Sequence, residues 1–308
     1  MENTPPLFNS MRLEKVWTVV VTHHPPPDFP ARLEVIRQRV GKIVVVDNGS
    51  PKEALLGLES IPGVEVIHNL KNLGLAAAQN QGLFLAMEQG AEWVLFLDQD
   101  SQPEPGFLEA MQSYYKTLPA KDRRRLLLLA PQVYEEGGGY FYYYILPWRS
   151  FLFRRVPCRP PGLLGVLFVI SSGTLVPVER FQELGVFRED FFIDYIDTEF
   201  CLRGLLRGFE IHVICGAILR HRLGRREVRR LGPLTFKPTH HPVWRKFFLY
   251  RNRCQVLRLY GRHIPAFWTF EICAMVYDLL QVILFEDEKL AKLRAAWQGL
   301  LAGLRTQI

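Results

Sequence analysis

Several patterns that mark common protein classes are missing from this sequence. Cysteine is sparse, with five in 308 residues and no C-x-x-C pair, which argues against a disulfide framework or a zinc site and favours reduced thiols. No G-x-G-x-x-G follows the first predicted strand and no Walker lysine loop occurs, so dinucleotide-binding and P-loop proteins are disfavoured. Internal repeats and low-complexity linkers are also missing.

A signal peptide and a clean membrane span are missing too. The N-terminus lacks a basic stretch followed by an apolar one, so we expect the working part of the protein to face the cytosol. Residues 264–285 are long enough to span a bilayer but contain Glu271, Asp278 and Gln281, and charges in mid-span are costly. We therefore expect an amphipathic helix there, buried in the fold or lying on a membrane surface.

The composition instead describes a globular protein with a basic surface. Hydrophobic residues make up 48% of the chain, which is enough for a substantial core, and the net charge is +7. That charge favours an anionic partner, which is nucleic acid, an acidic membrane surface or a phosphorylated substrate.

Strand and helix signals alternate in the first third of the chain, which predicts a mainly parallel sheet with helices on both faces. Right-handed crossovers then put every carboxyl end at one edge, so Thr22, Asp47 and Asp98 should converge there. The predicted strands are residues 16–21, 42–46, 64–67 and 93–97, and the predicted helices are 29–40 and 75–89.

The rest of the chain is less regular, and its patterns are shorter. Helical periodicity alone remains after about residue 235. Before that point we expect a solvated turn at 123–125, a mobile loop or lid at 137–144, and strands at 126–130, 163–170 and 211–219.

The strand at 93–97 stops abruptly at Asp98-Gln99-Asp100. Two acids separated by one residue, at the carboxyl end of a buried strand, can hold a hard cation that carries phosphate oxygens. The alternative is a strand followed by a solvated acidic turn, and a D-x-D string alone does not decide between them.

Asp47-Asn48-Gly49-Ser50 closes the second strand with residues that favour turns. One interpretation is simply a good turn. The other is that Asp47 hydrogen-bonds a base or ribose at the sheet edge, as acids do in other nucleotide-binding α/β folds.

A second acidic cluster comprises Asp194, Asp197 and Glu199, embedded among aromatic residues. If a helix begins near Thr198, Asp197 lies at or near its N-cap, and a capping box with a solvated glutamate explains the pattern. The apolar neighbours favour a different interpretation, because carboxylates kept in a low-dielectric setting tend to be general bases or metal ligands.

His221 follows the strand predicted at 211–219. A lone histidine is more often structural than a ligand, but at a strand end this one could complete a hard-metal site with Asp100. The basic segment beside it is either a solvated loop or a clamp for diphosphate or anionic lipid, and contains Arg222, Arg225, Arg226, Arg229 and Arg230.

Taken in order, the strings of this chain resemble the family-2 glycosyltransferases with the GT-A fold. The resemblance is greatest to the bacterial rhamnosyltransferase branch, whose relatives include galactofuranosyltransferases, and covers roughly residues 16–260. The strings are VVVTHHPP, VVVDNGS, NLGLAAAQNQG, LFLDQDS, ISSGTLV, FIDYIDTEFCLR, LRHRLG and RKFFLYRN.

The resemblance implies an α/β GT-A fold, with a Rossmann-like, mostly parallel mixed sheet flanked by helices and a helical C-terminal extension. It implies a nucleotide-sugar-binding catalytic domain at 1–235 and a C-terminal helical region at 236–308 for acceptor or membrane association. The expected cofactor is Mg²⁺ or Mn²⁺.

The resemblance also implies a role for each matched residue. Asp197 would be the general base, and Asp100 and His221 would bind the metal. The chain departs from the family pattern at two positions: His24 replaces a common asparagine, and Arg222 replaces the usual small polar residue in the His221 motif. These departures leave the identity of the donor sugar open. Thr22 and Asp47 would contact base and ribose, Asn72 and Asn80 would shape the nucleotide pocket, Asp98 would face ribose or diphosphate, Ser172 and Gly173 would line the sugar or acceptor pocket, and Arg251 and Asn252 would support or bind the acceptor.

The chemistry of sugar transfer agrees with a metal site at Asp100 and His221 and a separate base at Asp197. A nucleoside diphosphate leaves readily only when its developing charge is neutralised, which a divalent ion does without proton transfer. An acceptor hydroxyl attacking from the opposite face must lose its proton to a base. Metal and base on opposite faces imply inversion in a single displacement.

We therefore expect a metal-dependent inverting glycosyltransferase using dTDP-L-rhamnose, which extends a cell-surface polysaccharide or a lipid-linked glycan precursor. The alternatives are a galactofuranosyl- or other hexosyltransferase using a UDP-sugar and, more remotely, a non-catalytic basic protein that binds membrane or nucleic acid. The expected partners are a nucleotide sugar, a glycan or lipid-linked acceptor and the inner face of the cell membrane, without nucleic acid.

Overall fold

The computed structural model describes residues 10–40, 42–221, 229–231 and 234–307. Its strands are β1 (Val16–Thr22), β2 (Lys42–Asp47), β3 (Val64–His68), β4 (Trp93–Asp98), β5 (Ser101–Pro103), β6 (Leu126–Glu135), β7 (Tyr140–Phe141), β8 (Tyr143–Trp148), β9 (Leu152–Pro157), β10 (Gly162–Leu163), β11 (Leu175–Pro177), β12 (Glu210–His221), β13 (Arg229–Leu231) and β14 (Leu234–Phe236). Its α-helices are α1 (Phe29–Val40), α2 (Leu75–Glu88), α3 (Phe107–Thr117), α4 (Ala120–Arg125), α5 (Val178–Leu184), α6 (Ile196–Leu206), α7 (Val243–Tyr260), α8 (Pro265–Phe285) and α9 (Lys289–Arg305).

A mixed, mostly parallel sheet runs in the order β10-β12-β6-β11-β4-β1-β2-β3. β11 lies antiparallel between β4 and β6, so β4 and β6 point the same way. In the parallel ladders Thr22 pairs with Asp47 and Val21 with Asp98. The predicted fold class and the predicted convergence of these strand ends are both confirmed.

Helices cover both faces of the sheet because the buried strands are apolar on both faces. One apolar cluster joins Val19, Val44 and Phe96 to α2 and α6, and the other joins Val20, Val45 and Leu97 to α1 and α3. The functional edge therefore rests on a packed two-sided core.

Three local predictions in the middle of the chain are wrong. Residues 123–125 lie in the last turn of α4 rather than in a turn, where basic side chains suit a helix C-terminus. The predicted mobile loop instead forms β7 and the start of the β8–β9 hairpin, because Tyr144, Ile145 and Leu146 are buried. The apolar run 163–170 is mostly irregular, since burial alone does not require a ladder.

The prediction that all cysteines are reduced is wrong for one pair. Cys158 and Cys215 form a disulfide, with Cα atoms 5.6 Å apart. Gly162 of β10 pairs with Ile214 of β12, which brings the preceding chain beside Cys215. The two cysteines are 57 residues apart, so no short spacing motif in the sequence indicates that they pair. Disulfides of this kind are uncommon in the cytosol.

Helix α8 turns its polar residues inward and exposes several of its large apolar residues. Glu271 and Gln281 are buried, and Asp278 accepts hydrogen bonds from Lys246 Nζ (2.7 Å) and Tyr250 Oη (2.9 Å). Among the described residues it is the one helix long and apolar enough to cross a membrane, with 22% of its most apolar window buried. Its exposed side chains include Trp268, Val276, Leu280, Ile283 and Leu284.

The contact of α2 with the sheet is close enough to require glycine at position 82. A Cβ there would lie 2.5 Å from Val19 Cγ1 and 3.1 Å from Val46 Cγ2, both on stiff buried side chains. We expect Gly82→Ala to lower the free energy of unfolding by about 1–3 kcal/mol in a urea titration, although alanine has the higher helix propensity.

Gly216→Ala is the matched control for that prediction. The nearest atom to its added Cβ is Ala110 Cβ at 4.0 Å, so this variant should unfold as the wild type does. Equal stability of Gly82→Ala and the wild type would contradict the close packing of α2 on the sheet.

Candidate functional site

Two carboxylates and an imidazole meet at the carboxyl edge of the sheet. Asp98 ends β4, Asp100 follows it, and the β5–β12 ladder places His221 opposite Ser101. His221 Nε2 lies 3.3 Å from Asp98 Oδ2 and 3.6 Å from Asp100 Oδ1. One ligand atom from each of the three residues lies within 4.8 Å of the others. We call these three residues the acidic cluster.

The acidic cluster has the donor set and charge of a site for a hard divalent cation. Burial raises the pKa of Asp100, which reflects the cost of a carboxylate in this setting. The pKa of His221 is lowered by burial, but the hydrogen bond to Asp98 and the charges of Asp98 and Asp100 raise it by more. A bound cation would stabilise both carboxylates. The residues present therefore fit Mg²⁺ or Mn²⁺.

Asp197 lies in the first turn of α6, one residue after the start of the helix. Its carboxylate accepts hydrogen bonds from the Ser171 backbone N–H (3.0 Å) and the Thr198 backbone N–H (2.7 Å). Burial raises the pKa of Asp197 to about 6 despite these bonds, and the nearby charges of Asp194 and Asp98 add to the rise. A carboxylate with a pKa near neutrality can act as a general base.

One turn holds both acidic sites. Ser171 donates its backbone N–H to Asp197, while the next residue, Ser172, accepts a hydrogen bond from the Asp98 backbone N–H at 3.0 Å. The Ser172 hydroxyl also shares a hydrogen bond of 2.7 Å with the Ser101 hydroxyl. The positions of Asp98 and Asp197 are therefore coupled through two adjacent residues.

The segment before Asp197 has an unusual backbone, which α7 holds in place. Asp194 and Tyr195 both have positive φ, at 65° and 66°, a conformation that costs energy for residues other than glycine. Arg245 binds the Asp194 carboxylate in a bidentate pair at 2.8 and 3.0 Å. Asn252 Nδ2 donates to the carbonyls of Ile193 (2.9 Å) and Asp194 (3.0 Å).

A buried charge pair fixes Tyr195 from the other side. The Tyr195 hydroxyl donates to Glu271 at 2.5 Å and accepts from Arg253 Nε at 2.7 Å. Arg253 Nε also donates to Glu271 at 2.9 Å. The C-terminal helices thus supply the groups that shape the backbone leading to Asp197.

Comparison with known proteins relates this chain to glycosyltransferases. Residues 18–145 match the model of glycosyl transferase family 2. The chain is also 29% identical over 297 residues to the dTDP-rhamnosyl transferase RfbF of Shigella flexneri, covering 94% of each chain. Residues 18–145 carry a glycosyl transferase family 2 domain, and the chain is a glycosyltransferase.

Solved structures share the fold of this glycosyltransferase. S. aureus TarS 1–349 in complex with UDP-GlcNAc matches with a TM-score of 0.60 at 14% identity, over 93% of this chain and 81% of that one. GalNAc-T7 with UDP, GalNAc and Mn²⁺ matches with a TM-score of 0.55 at 17% identity, over 79% of this chain and 47% of that one. The expected GT-A fold is confirmed. The family model and the match to RfbF set aside the alternative of a non-catalytic basic protein.

The glycosyltransferase buries two of the residues expected to contact base and ribose. Thr22 Oγ1 donates to Asp47 Oδ1 at 3.1 Å, and neither side chain is exposed. Asp47 Oδ2 also accepts from the backbone N–H of Ser50 (2.9 Å) and lies 3.0 Å from His68 Nδ1. Asp47 therefore closes the turn after β2, and its contact with a nucleotide stays a prediction.

The two asparagines predicted to shape the nucleotide pocket hydrogen-bond to neighbouring segments of the protein. Asn72 Oδ1 accepts from Asn48 Nδ2 at 3.0 Å, which joins the turn after β2 to the start of α2. Asn80 donates to the Phe187 carbonyl at 2.9 Å and accepts from the Phe187 N–H at 3.1 Å. Both residues shape the edge from behind, and a direct nucleotide contact is untested.

Ser172 and Gly173 lie behind the acids and are buried. A Cβ on Gly173, whose φ is +83°, would meet Pro131 Cγ at 2.6 Å, so this position allows close packing. Arg251 lies away from the acidic cluster, where it binds the Asp190 carbonyl and stacks on Phe248 with its guanidinium 4.9 Å from the ring centre. Their roles toward sugar or acceptor stay predictions.

Part of the predicted basic segment lies outside the described residues, namely Arg222, Arg225 and Arg226. Arg229 and Arg230 belong to β13.

Sequence reasoning missed Ser171 and Arg245. Ser171 acts through its backbone N–H, for which residue type carries no signal. Arg245 is the first residue of the RKFFLYRN string, but its pairing with Asp194 depends on how α7 docks.

Removal of a ligand from the acidic cluster should weaken metal binding. We expect Asp100→Asn and His221→Ala each to reduce Mn²⁺ affinity by at least about tenfold in calorimetric titrations with a nucleoside diphosphate present, because each removes a donor atom. Asp287→Asn, an exposed acid between α8 and α9, should bind Mn²⁺ as the wild type does. Unchanged affinity in both cluster variants would exclude a metal site there.

Proposed function

We propose that the protein is a metal-dependent inverting enzyme that transfers L-rhamnose from dTDP-L-rhamnose to a hydroxyl of a cell-surface polysaccharide or its lipid-linked precursor. The observation that carries the reaction class is Asp197, a carboxylate whose pKa is raised to about 6 and which is tied through Ser171-Ser172 to the acidic cluster. The donor is supported by the match to RfbF along 94% of the chain.

The proposed mechanism divides the work between the two acidic sites. Asp100 and His221 would hold Mg²⁺ or Mn²⁺, which supplies charge neutralisation for the departing diphosphate. The structure of GalNAc-T7 with Mn²⁺ supports this assignment. Asp98 would position the ribose or diphosphate. Asp197 would take the proton from the acceptor hydroxyl as the hydroxyl attacks the anomeric carbon.

The base is tested by Asp197→Asn, which keeps the shape of the side chain but removes its basicity. We expect transfer to fall by at least about 100-fold, since general bases contribute 10²–10⁴-fold. Binding of the nucleotide should remain. Glu59→Gln, an exposed carboxylate between β2 and β3, serves as the control and should retain transfer.

The pH dependence gives an independent test of the same residue. Because the pKa of Asp197 is raised to about 6, the base is protonated below that pH and deprotonated above it. The wild-type rate should therefore fall as pH drops through about 6. A rate that is flat down to pH 4, or loss of folding together with activity in Asp197→Asn, would show that the carboxylate is structural.

The donor is tested by thermal shift against a panel of nucleotide sugars with Mn²⁺. A ligand at about 100 times its Kd raises stability by about 2.7 kcal/mol, so the true donor should give the largest shift. We expect dTDP-L-rhamnose to do so. A larger shift with a UDP-sugar would favour the galactofuranosyl- or other hexosyltransferase and contradict the rhamnose assignment.

The proposed setting is the cytoplasm, with peripheral contact at the inner face of the cell membrane. Residues 1–235 would form the catalytic domain and residues 236–308 the helical region for acceptor or membrane association. The outward apolar side chains of α8 support this role for the C-terminal region.

A further inference from the structure

The β8–β9 hairpin ends in a tip of large apolar side chains that face solvent. Trp148 is 50% exposed, Phe151 64% and Leu152 43%. Trp148 and Leu152 are paired across the two strands, so they stand side by side at the tip. Large exposed apolar groups gathered at one protruding point mark an interaction site rather than ordinary surface.

The hairpin and its flanks are uniformly basic. From Gly137 to Val178 the chain contains arginines at 149, 154, 155 and 159 and no carboxylate. No salt bridge joins these arginines to an acid within the described ranges. Arg149 instead lies over the Trp148 ring at 5.4 Å and Arg155 over the Tyr143 ring at 5.4 Å. Exposed aromatic groups with unpaired arginines suit an anionic bilayer surface.

The other end of the hairpin leads to the base. Residues of β8, Tyr143 to Ile145, line an apolar cavity of about 80 Å³ together with Phe168, Val169 and Ile170. The next residue, Ser171, donates its N–H to Asp197. The hairpin that carries the apolar tip therefore contacts the segment that positions Asp197.

We propose that the tip of the β8–β9 hairpin docks on an anionic lipid bilayer, so that a lipid-linked acceptor is presented to Asp197 from the membrane surface. The proposal rests on the proposed function, since only a lipid-linked acceptor needs such docking. It assigns the electrostatic part of membrane binding to the hairpin. The outward face of α8 cannot supply that part, because no lysine or arginine occurs between Pro265 and Phe285.

Vesicle co-sedimentation of the full chain tests the proposal. We expect the wild type to bind vesicles of phosphatidylglycerol and phosphatidylcholine at low salt, and to bind phosphatidylcholine alone much less. Arg149→Gln with Arg154→Gln should lower binding by about 30-fold, because each arginine near an anionic surface contributes about 1 kcal/mol. Trp148→Ser with Phe151→Ser should lower it by about tenfold or more.

The matched control is Leu56→Ser with Phe84→Ser, which removes apolar side chains of similar exposure, 75% and 46%, from outside both the hairpin and the C-terminal region. This variant should bind vesicles as the wild type does. The proposal is overturned if the wild type does not bind the anionic vesicles, if both hairpin variants bind as the wild type does, or if the control variant loses as much binding as they do.

A thermal shift with dTDP-L-rhamnose in the same proteins distinguishes a failure of the docking proposal from a failure of the donor assignment. All variants should keep the wild-type shift, since none of the changed residues lies at the acidic cluster. A normal donor shift without vesicle binding overturns the docking proposal and leaves the enzymatic one standing. No donor shift in any protein, with vesicle binding intact, counts against the donor assignment instead.

Discussion

The pair of hydrogen bonds made by Ser171 and Ser172 is the constraint on which the site depends. Ser171 holds Asp197 by its backbone N–H, and Ser172 holds the backbone of Asp98 through its hydroxyl. A base and a metal site work together only if their separation is fixed within a fraction of an ångström. Two neighbouring residues of one turn set that separation, and β11, immediately after them, anchors the turn between β4 and β6.

The C-terminal helices also help to position Asp197, because they hold the two residues before the start of α6. Asp194 and Tyr195 keep a costly backbone conformation only because Arg245, Arg253 and Glu271 hold their side chains. A buried pair such as Arg253–Glu271 adds little net stability, since desolvation offsets its attraction, but it specifies one geometry. The helical extension therefore belongs to the functional site as much as to any surface for acceptor or membrane.

The sequence predicts this architecture unevenly. The strand ends and the meeting of Asp100 with His221 follow from apolar runs that stop at charge and from the rule that parallel strands end at one edge. The burial of Asp47 does not follow, because two of its partners, Thr22 and His68, lie at the ends of other strands. The β8–β9 hairpin and the Cys158–Cys215 pair depend on packing between distant segments, which neither periodicity nor spacing records.

The central claim is that departure and attack occur on opposite faces of the sugar, one served by the acidic cluster and the other by Asp197. The anomeric configuration of the first product, read by NMR before it can equilibrate, tests this claim most directly. A single displacement predicts a glycosidic bond with the configuration opposite to that of the donor. A product with the donor's configuration would contradict the account, because it requires two displacements or attack from the face of the leaving group.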